Sequence, residues 1–76
     1  MDKNINHIIT REIAVLSPNQ GGWQLELNEI IWNNGRPKLD IRRWTTGRER
    51  CSKGTTLTRK EAENLLAALR EELKEE

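Results

Sequence analysis

The spacing of apolar residues changes once along this 76-residue chain, near residue 58, and this change constrains the fold more than any other feature. Before it, apolar and polar residues alternate, as in "KLDIRRW" (residues 38–44), where Leu39 and Ile41 would share one face of a strand. After it, apolar residues recur at helical spacing, at Ala62, Leu65, Leu66, Leu69 and Leu73. The pattern predicts strands followed by one helix.

Four segments are predicted to be strands, because they are β-prone and are separated by turn-forming stretches such as "SPNQGG" and "NNGRP". They cover residues 7–17, 23–33, 38–44 and 54–57. Alternation is imperfect in the first strand, where Arg11 has the same parity as the apolar residues around it. In the second strand it blurs near Glu29, which indicates a bulge or a late twist.

The helix has the clearest start. Thr58 and Glu61 match the capping box, in which each side chain bonds a backbone N–H of the first turn. The predicted fold class is therefore α+β, with a four-stranded antiparallel sheet followed by a C-terminal helix (β-β-β-β-α). Such a sheet packs one face and leaves the other open. We expect the helix to cover the face that carries Leu39 and Ile41.

The shortness of the chain predicts self-association. A domain of this size buries a limited share of its surface, and small domains usually recruit disulfides, metals or a second copy. Cys51 is the single cysteine, and no set of Cys and His has zinc spacing. A homodimer is expected, and the leucines of the helix stripe are its candidate interface: Leu65, Leu66, Leu69 and Leu73. The same stripe could instead simply cover its own sheet.

The chain carries no stretch long enough to span a membrane and no apolar leader with a cleavage site, so a cytoplasmic location is expected. Association with the nucleoid would follow if the protein binds DNA. We expect residues 1–6 to be a flexible leader, residues 7–74 to form a single domain, and residues 75–76 to be a frayed tail.

The formal net charge of +1 conceals a concentrated cationic block. Residues 36–57 hold seven basic and two acidic side chains, whereas the segments on either side are each net acidic. A local block of this kind in a nearly neutral protein indicates a localised anionic partner.

The second face of the third strand combines this charge with an aromatic ring. Lys38, Asp40, Arg42 and Trp44 share it by period two. Cations neutralise phosphates, and aromatic rings stack on unpaired bases, so the face is typical of a single-stranded nucleic-acid site. Taken alone, it could equally be a solvated charged surface with Trp44 at the edge of the core.

The motifs resemble the positive cofactor 4 family of transcriptional coactivators. "PKLDIRRW", then "KGTTLT" and a terminal amphipathic helix, occur in that order, and "GGWQLELN" resembles the small bacterial members. The resemblance spans Ile8 to Leu73. It implies a curved four-stranded sheet, dimerisation through helices and sheet ends, and binding of single-stranded DNA across the open sheet face without an enzymatic step.

The resemblance carries over to Arg42, Trp44 and Lys53 by motif. Thr55 and Leu39 depart from the family pattern, at positions expected to face the core. With neighbouring residues added, the predicted nucleic-acid site consists of Trp32, Arg36, Lys38, Arg42, Trp44 and Lys53. The position of Trp32, in the core or in the site, stays open, whereas the parity of Trp23 favours the core.

No enzymatic site, cofactor or metal is expected, and no membrane or small-molecule partner. His7 has no suggested catalytic partner, and Cys51 has no second cysteine. The predicted function is low-specificity binding of single-stranded DNA, in transcription regulation or in DNA replication and repair. RNA binding and docking of an acidic protein of the transcription machinery are the alternatives.

Overall fold

The computed structural model describes residues 6–74. Its elements are β1 (His7–Gln20), β2 (Trp23–Trp32), β3 (Lys38–Thr45), a 3₁₀ turn (Thr46–Arg48), β4 (Thr55–Leu57) and α1 (Arg59–Leu73). The strands form one antiparallel sheet in the order β1-β2-β3-β4. The predicted β-β-β-β-α fold is confirmed. The expected frayed tail and all but the last residue of the expected leader lie outside the described residues.

Both hairpin turns use residues that tolerate positive φ. Gly21 and Gly22 have φ of 61° and 88°, and Asn33 and Asn34 have φ of 51° and 63°. Glycine and asparagine enter this left-handed region at the lowest steric cost, which explains the tight return of each strand. The second turn also holds Asn6, whose carbonyl oxygen accepts the Asn33 backbone N–H at 2.8 Å.

The irregular alternation of the first two strands arises in β1. Ile9 pairs with Ile30 and Arg11 with Glu29, so one extra residue is inserted in β1 and turns Ile9 and Arg11 to opposite faces. The register of β2 with β3 is unbroken throughout. The bulge expected near Glu29 is therefore located in the neighbouring strand.

The two faces of the sheet follow the predicted parity. One, here called the polar face, carries Gln24, Glu26, Asn28, Ile30 and Trp32 of β2 and Lys38, Asp40, Arg42 and Trp44 of β3. The other, the leucine face, carries Leu25, Leu27, Leu39, Ile41 and Leu57. The expectation that the leucine face is core and the polar face is bare is wrong for this chain: the leucine face is half-buried, and the fully buried residues lie on the polar face.

Curvature explains why the polar face is buried. Trp32 pairs with His7 at one end of β2, and Trp44 pairs with Gln24 at the other. Gln24 and Trp32, and with them their partners Trp44 and His7, would be about 26 Å apart along a flat strand at roughly 3.3 Å per residue. Yet the His7 ring lies 5.3 Å from the Trp32 ring and 5.1 Å from the Trp44 ring, centroid to centroid. The polar face is therefore strongly concave.

The helix begins as predicted but does not cover the sheet. Both hydrogen bonds of the Thr58–Glu61 capping box are present. The helix packs mainly against β3 and β4. Among residues 59–73, Ala62 alone is half-buried, and the others are exposed. Leu66 and Leu73 are 52 % and 70 % exposed. A single helix thus leaves its own leucine stripe and much of the leucine face in contact with water.

Candidate nucleic-acid interface

A groove of about 460 Å³ opens at the end of the polar face where β2 turns into β3. It is lined by Trp32, Asn33, Gly35, Arg36, Lys38, Arg42 and Thr56. Four of the six predicted site residues line it: Trp32, Arg36, Lys38 and Arg42. Trp32 lies on the same face as Lys38 and Arg42, and it is half-buried with part of its surface lining the groove.

A buried carboxylate fixes two of these side chains. Asp40 is fully buried and accepts a hydrogen bond from Trp32 Nε1 at 3.3 Å and from Arg42 Nε at 2.8 Å. The Arg42 guanidinium lies over the Trp32 ring, 4.6 Å from its centroid, in a cation–π contact. Because its charge is balanced by Asp40 and its side chain is 14 % exposed, Arg42 offers less free charge than the sequence predicted.

The segment before β4 packs closely on Arg42. A Cβ added to Gly54 would lie 2.3 Å from Ile41 O and from Arg42 Cβ, so only glycine fits there. The Ser52 carbonyl accepts a hydrogen bond from Arg42 Nη1 at 3.4 Å. Lys53 lies between Ser52 and Gly54 in the chain. It is exposed, but it does not line the groove.

Arg36 and Lys38 are the available cations of the groove. Both are exposed, and neither forms a salt bridge with any residue between 6 and 74. Arg36 follows the Asn-Gly turn, and Lys38 begins β3 with only Pro37 between them, so the two charges lie close together at the groove.

Trp44 does not offer the exposed ring that the sequence predicted. It lies on the polar face with Arg42, as expected, but its side chain is only 1 % exposed. Its Nε1 donor has no hydrogen-bond partner among the described residues. The concave curvature buries this position, and the parity of a strand gives no measure of curvature. The expectation of a bare Trp44 is therefore wrong.

The far end of the polar face is acidic, which the sequence did not reveal. Arg48 bonds both Glu12 and Glu26 at 3.1 Å. Burial alone would raise the pKa of Glu26, but hydrogen bonds from Asn28, Gln24 and Arg48, with the charge of Arg48, outweigh it. The pKa of Glu26 is therefore lowered, and Arg48 is committed to these carboxylates rather than to the groove.

The remaining predicted features lie away from the groove. Trp23 is half-buried at the edge of the leucine face, with the Arg50 guanidinium 5.8 Å from its ring centroid. Cys51 is exposed. No cluster of residues suited to a metal ion occurs within residues 6–74. In the same part of the chain, no helix is long and apolar enough to cross a membrane.

The fold and the groove together define a small α+β protein whose concave sheet face carries an indole beside two cations that form no salt bridge within residues 6–74. No family model matches the chain. Over 61 residues it is 39 % identical to an uncharacterized protein of Treponema pallidum (strain Nichols), covering 80 % of this chain and 72 % of the Treponema protein. The chain belongs to the same family as this Treponema protein.

Proposed function

We propose that this protein binds single-stranded nucleic acid, DNA above all, through the groove at Trp32 and with little sequence preference. The observation that carries the proposal is the convergence of the Trp32 indole with two exposed cations, Arg36 and Lys38, that have no acidic partner among the described residues. The resemblance to the positive cofactor 4 family supports DNA as the ligand and a non-enzymatic role in transcription regulation or DNA replication and repair.

The chemistry of the groove favours unpaired strands. Lys and Arg neutralise phosphates and release condensed counterions, which gives affinity without reading sequence. An indole gives an unpaired base a stacking surface worth about 1–3 kcal/mol per base, whereas duplex DNA keeps its base faces inside the stack. Trp32 supplies the stacking surface in this proposal. Asp40 and Arg42 hold the indole in place, so its orientation costs little entropy on binding.

We further propose that the protein acts as a homodimer. The leucines of the α1 stripe are 38 % to 70 % exposed and the leucine face is only half-buried, so burying this apolar surface against a second copy would be favourable. A second copy seated on this surface would leave the groove on the polar face open on both protomers. Two grooves related by symmetry could then hold two segments of nucleic acid or one looped strand.

The direct test is a gel shift with oligo-dT, duplex DNA and oligo-U probes, repeated with Trp32→Ala. The single-stranded DNA probe should shift at the lowest protein concentration, and Trp32→Ala should weaken its binding by roughly 1–3 kcal/mol. Trp23→Ala is the matched control, because Trp23 is also half-buried but belongs to the leucine face. Equal losses in the two variants, or preference for duplex, would refute the proposal.

The same probes address the alternative ligand. Preference for oligo-U over oligo-dT would assign the groove to RNA, since unpaired RNA presents the same base faces.

A further inference from the structure

We propose that a charged contact at the end of the leucine face sets the register of the dimer: Arg43 and Arg50 of one protomer bind the acidic C-terminal end of α1 of its partner. This inference rests on the dimer of the proposed function and extends it from an apolar surface to a particular pairing of charges. It gives a role to two arginines of the cationic block that do not line the groove.

Backbone pairing places both arginines on the leucine face, beside Trp23. Thr45 pairs with Trp23 on one side, and on the other its N–H donates to the Arg50 carbonyl oxygen at 3.0 Å. Trp23, Thr45 and Arg50 therefore form one row across the sheet, and the Arg50 guanidinium lies 5.8 Å from the Trp23 ring centroid. Arg43 pairs with Leu25 in the adjacent row of the same face. Two cations thus lie together at this end of the leucine face.

The charge of both arginines is available to a partner. Arg43 and Arg50 are exposed, and neither forms a salt bridge with any residue between 6 and 74. By contrast, Arg42 and Arg48 of the same cationic block are paired with carboxylates. The surface beside the two free cations is apolar. A complementary partner therefore carries carboxylates next to apolar side chains, which phosphates of a nucleic acid do not supply.

The C-terminal half of α1 has this combination. Leu69 and Leu73 are exposed, and Glu72 follows Leu69 by three residues and Leu65 by seven, so it lies at the margin of the leucine stripe. Glu72 is exposed and forms no salt bridge with a described residue, whereas Glu71 lies on the other side of the helix and pairs with a lysine. The helix dipole adds partial negative charge at this end, where cations are favoured.

Two-fold symmetry would form the contact twice. Where the arginines of one protomer bind the partner's Glu72, the arginines of the partner bind Glu72 of the first protomer. Ion pairs at the rim of an apolar interface add little affinity, but they select orientation, because a shifted or reversed helix leaves like charges together. A leucine stripe alone is compatible with several registers, and this contact favours one of them.

The test reverses the charges separately and then together, with the dimer dissociation constant measured by sedimentation. In Arg43→Glu with Arg50→Glu, and in Glu72→Lys, like charges meet at both copies of the contact. Each protein alone should dimerise at least about tenfold more weakly than wild type, since the repulsion occurs twice. An equimolar mixture of the two should recover the wild-type affinity, because both contacts of the heterodimer join opposite charges.

Glu71→Lys is the matched control, because it makes the same charge change on the other side of α1. It should dimerise like wild type, and its mixture with the arginine variant should stay weaker than wild type. Recovery in the first mixture alone would also exclude misfolding as the cause of the losses, since a misfolded chain gains nothing from a second variant.

Unweakened dimerisation by the arginine variant, or a mixture no tighter than its components, would overturn the inference and leave the apolar dimer intact. A monomeric wild type would remove the dimer and this contact together. Weaker oligo-dT binding by Arg43→Gln with Arg50→Gln, with an unchanged dimer, would also overturn it, because the two cations would then serve the nucleic acid.

Discussion

Asp40 is the residue on which the geometry of the groove depends. A carboxylate without solvent contact is stable only when it is paired and hydrogen-bonded. Asp40 meets this requirement with the Trp32 indole and the Arg42 guanidinium. The sequence placed Asp40 on the correct face, but only the three-dimensional contact shows that it neutralises the arginine expected to hold phosphate. The groove therefore relies on Arg36 and Lys38 for available charge.

The exposure of Trp44 could not be predicted from its position in the strand. Period two assigned it correctly to the face of Arg42, and the predicted exposure followed from treating that face as flat. Exposure depends on how far the sheet curves and on what lies across the concavity. The side chain across it is His7, which is more than 30 residues away in sequence and for which the sequence suggested no partner.

The lowered pKa of Glu26 leads to a prediction of how the stability of the protein depends on pH. Its hydrogen bonds keep its folded-state pKa below the ordinary value of 4.5. The folded state therefore binds this proton less readily than the unfolded state, so the stabilisation is present above about pH 4.5 and is lost as the pH falls through the folded pKa. The free energy of urea unfolding should decline over this acidic range in wild type and decline less in Glu26→Gln.

Glu49→Gln is the control for this titration, because Glu49 is an exposed carboxylate with no salt bridge to a described residue. Its stability should follow the wild-type pH profile. Parallel profiles for wild type and Glu26→Gln would show that the contacts of Glu26 do not stabilise its charged form.

At the scale of elements, the sequence predicted what local chemistry determines. The capping box located the helix start, Asn-Gly located the second turn, and alternation located β2 and β3 to within a residue or two. β1 extends to Gln20 rather than ending at Ser17, because Pro18 is tolerated on an edge strand that needs no donor there. The bulge or late twist predicted near Glu29 of β2 is a bulge in β1, the strand paired with it, and the sequence of one strand does not show which of two paired strands carries the extra residue.

Gly54 provides the prediction at this scale, because it determines how closely the segment before β4 approaches β3. In Gly54→Ala, the new methyl group would meet the Ile41 carbonyl at 2.3 Å, so the segment must move away from Arg42. Overpacking of this kind typically costs about 1–3 kcal/mol, measurable as a lower free energy of urea unfolding. Thr55→Ala, at the next and exposed position, should cost less. Equal costs would mean that the close approach at Gly54 does not constrain the structure.

At the scale of the whole molecule, the distribution of apolar surface differs from the prediction. The helix was expected to cover the leucine face, but it packs mainly on β3 and β4 and leaves its own leucines exposed. No pattern in the sequence shows the direction in which a helix leaves the last strand. A leucine stripe is equally compatible with packing on its own sheet and with packing on a second copy, and the sequence prediction left both open.

The proposed dimer is tested by the mass of the particle in solution. Wild type should sediment as a dimer at micromolar concentration, and Leu66→Glu with Leu69→Glu should give a monomer, because two charges would be buried without partners. Lys60→Glu, at an exposed position of the same helix, should remain dimeric. A wild-type protein that is a stable, folded monomer would contradict the dimer.

The salt dependence of binding tests the central claim most directly. Oligo-dT affinity is measured over a series of salt concentrations for wild type and two double variants. The groove variant is Arg36→Gln with Lys38→Gln. The helix variant, Arg59→Gln with Lys60→Gln, is the control because it removes the same charge from the helix start. We expect wild-type affinity to fall steeply with salt. The logarithmic slope should become shallower by about 1.4 in the groove variant, roughly 0.7 for each lost phosphate contact, and stay unchanged in the helix variant. An affinity independent of salt, or equal slopes in the two variants, would contradict the account.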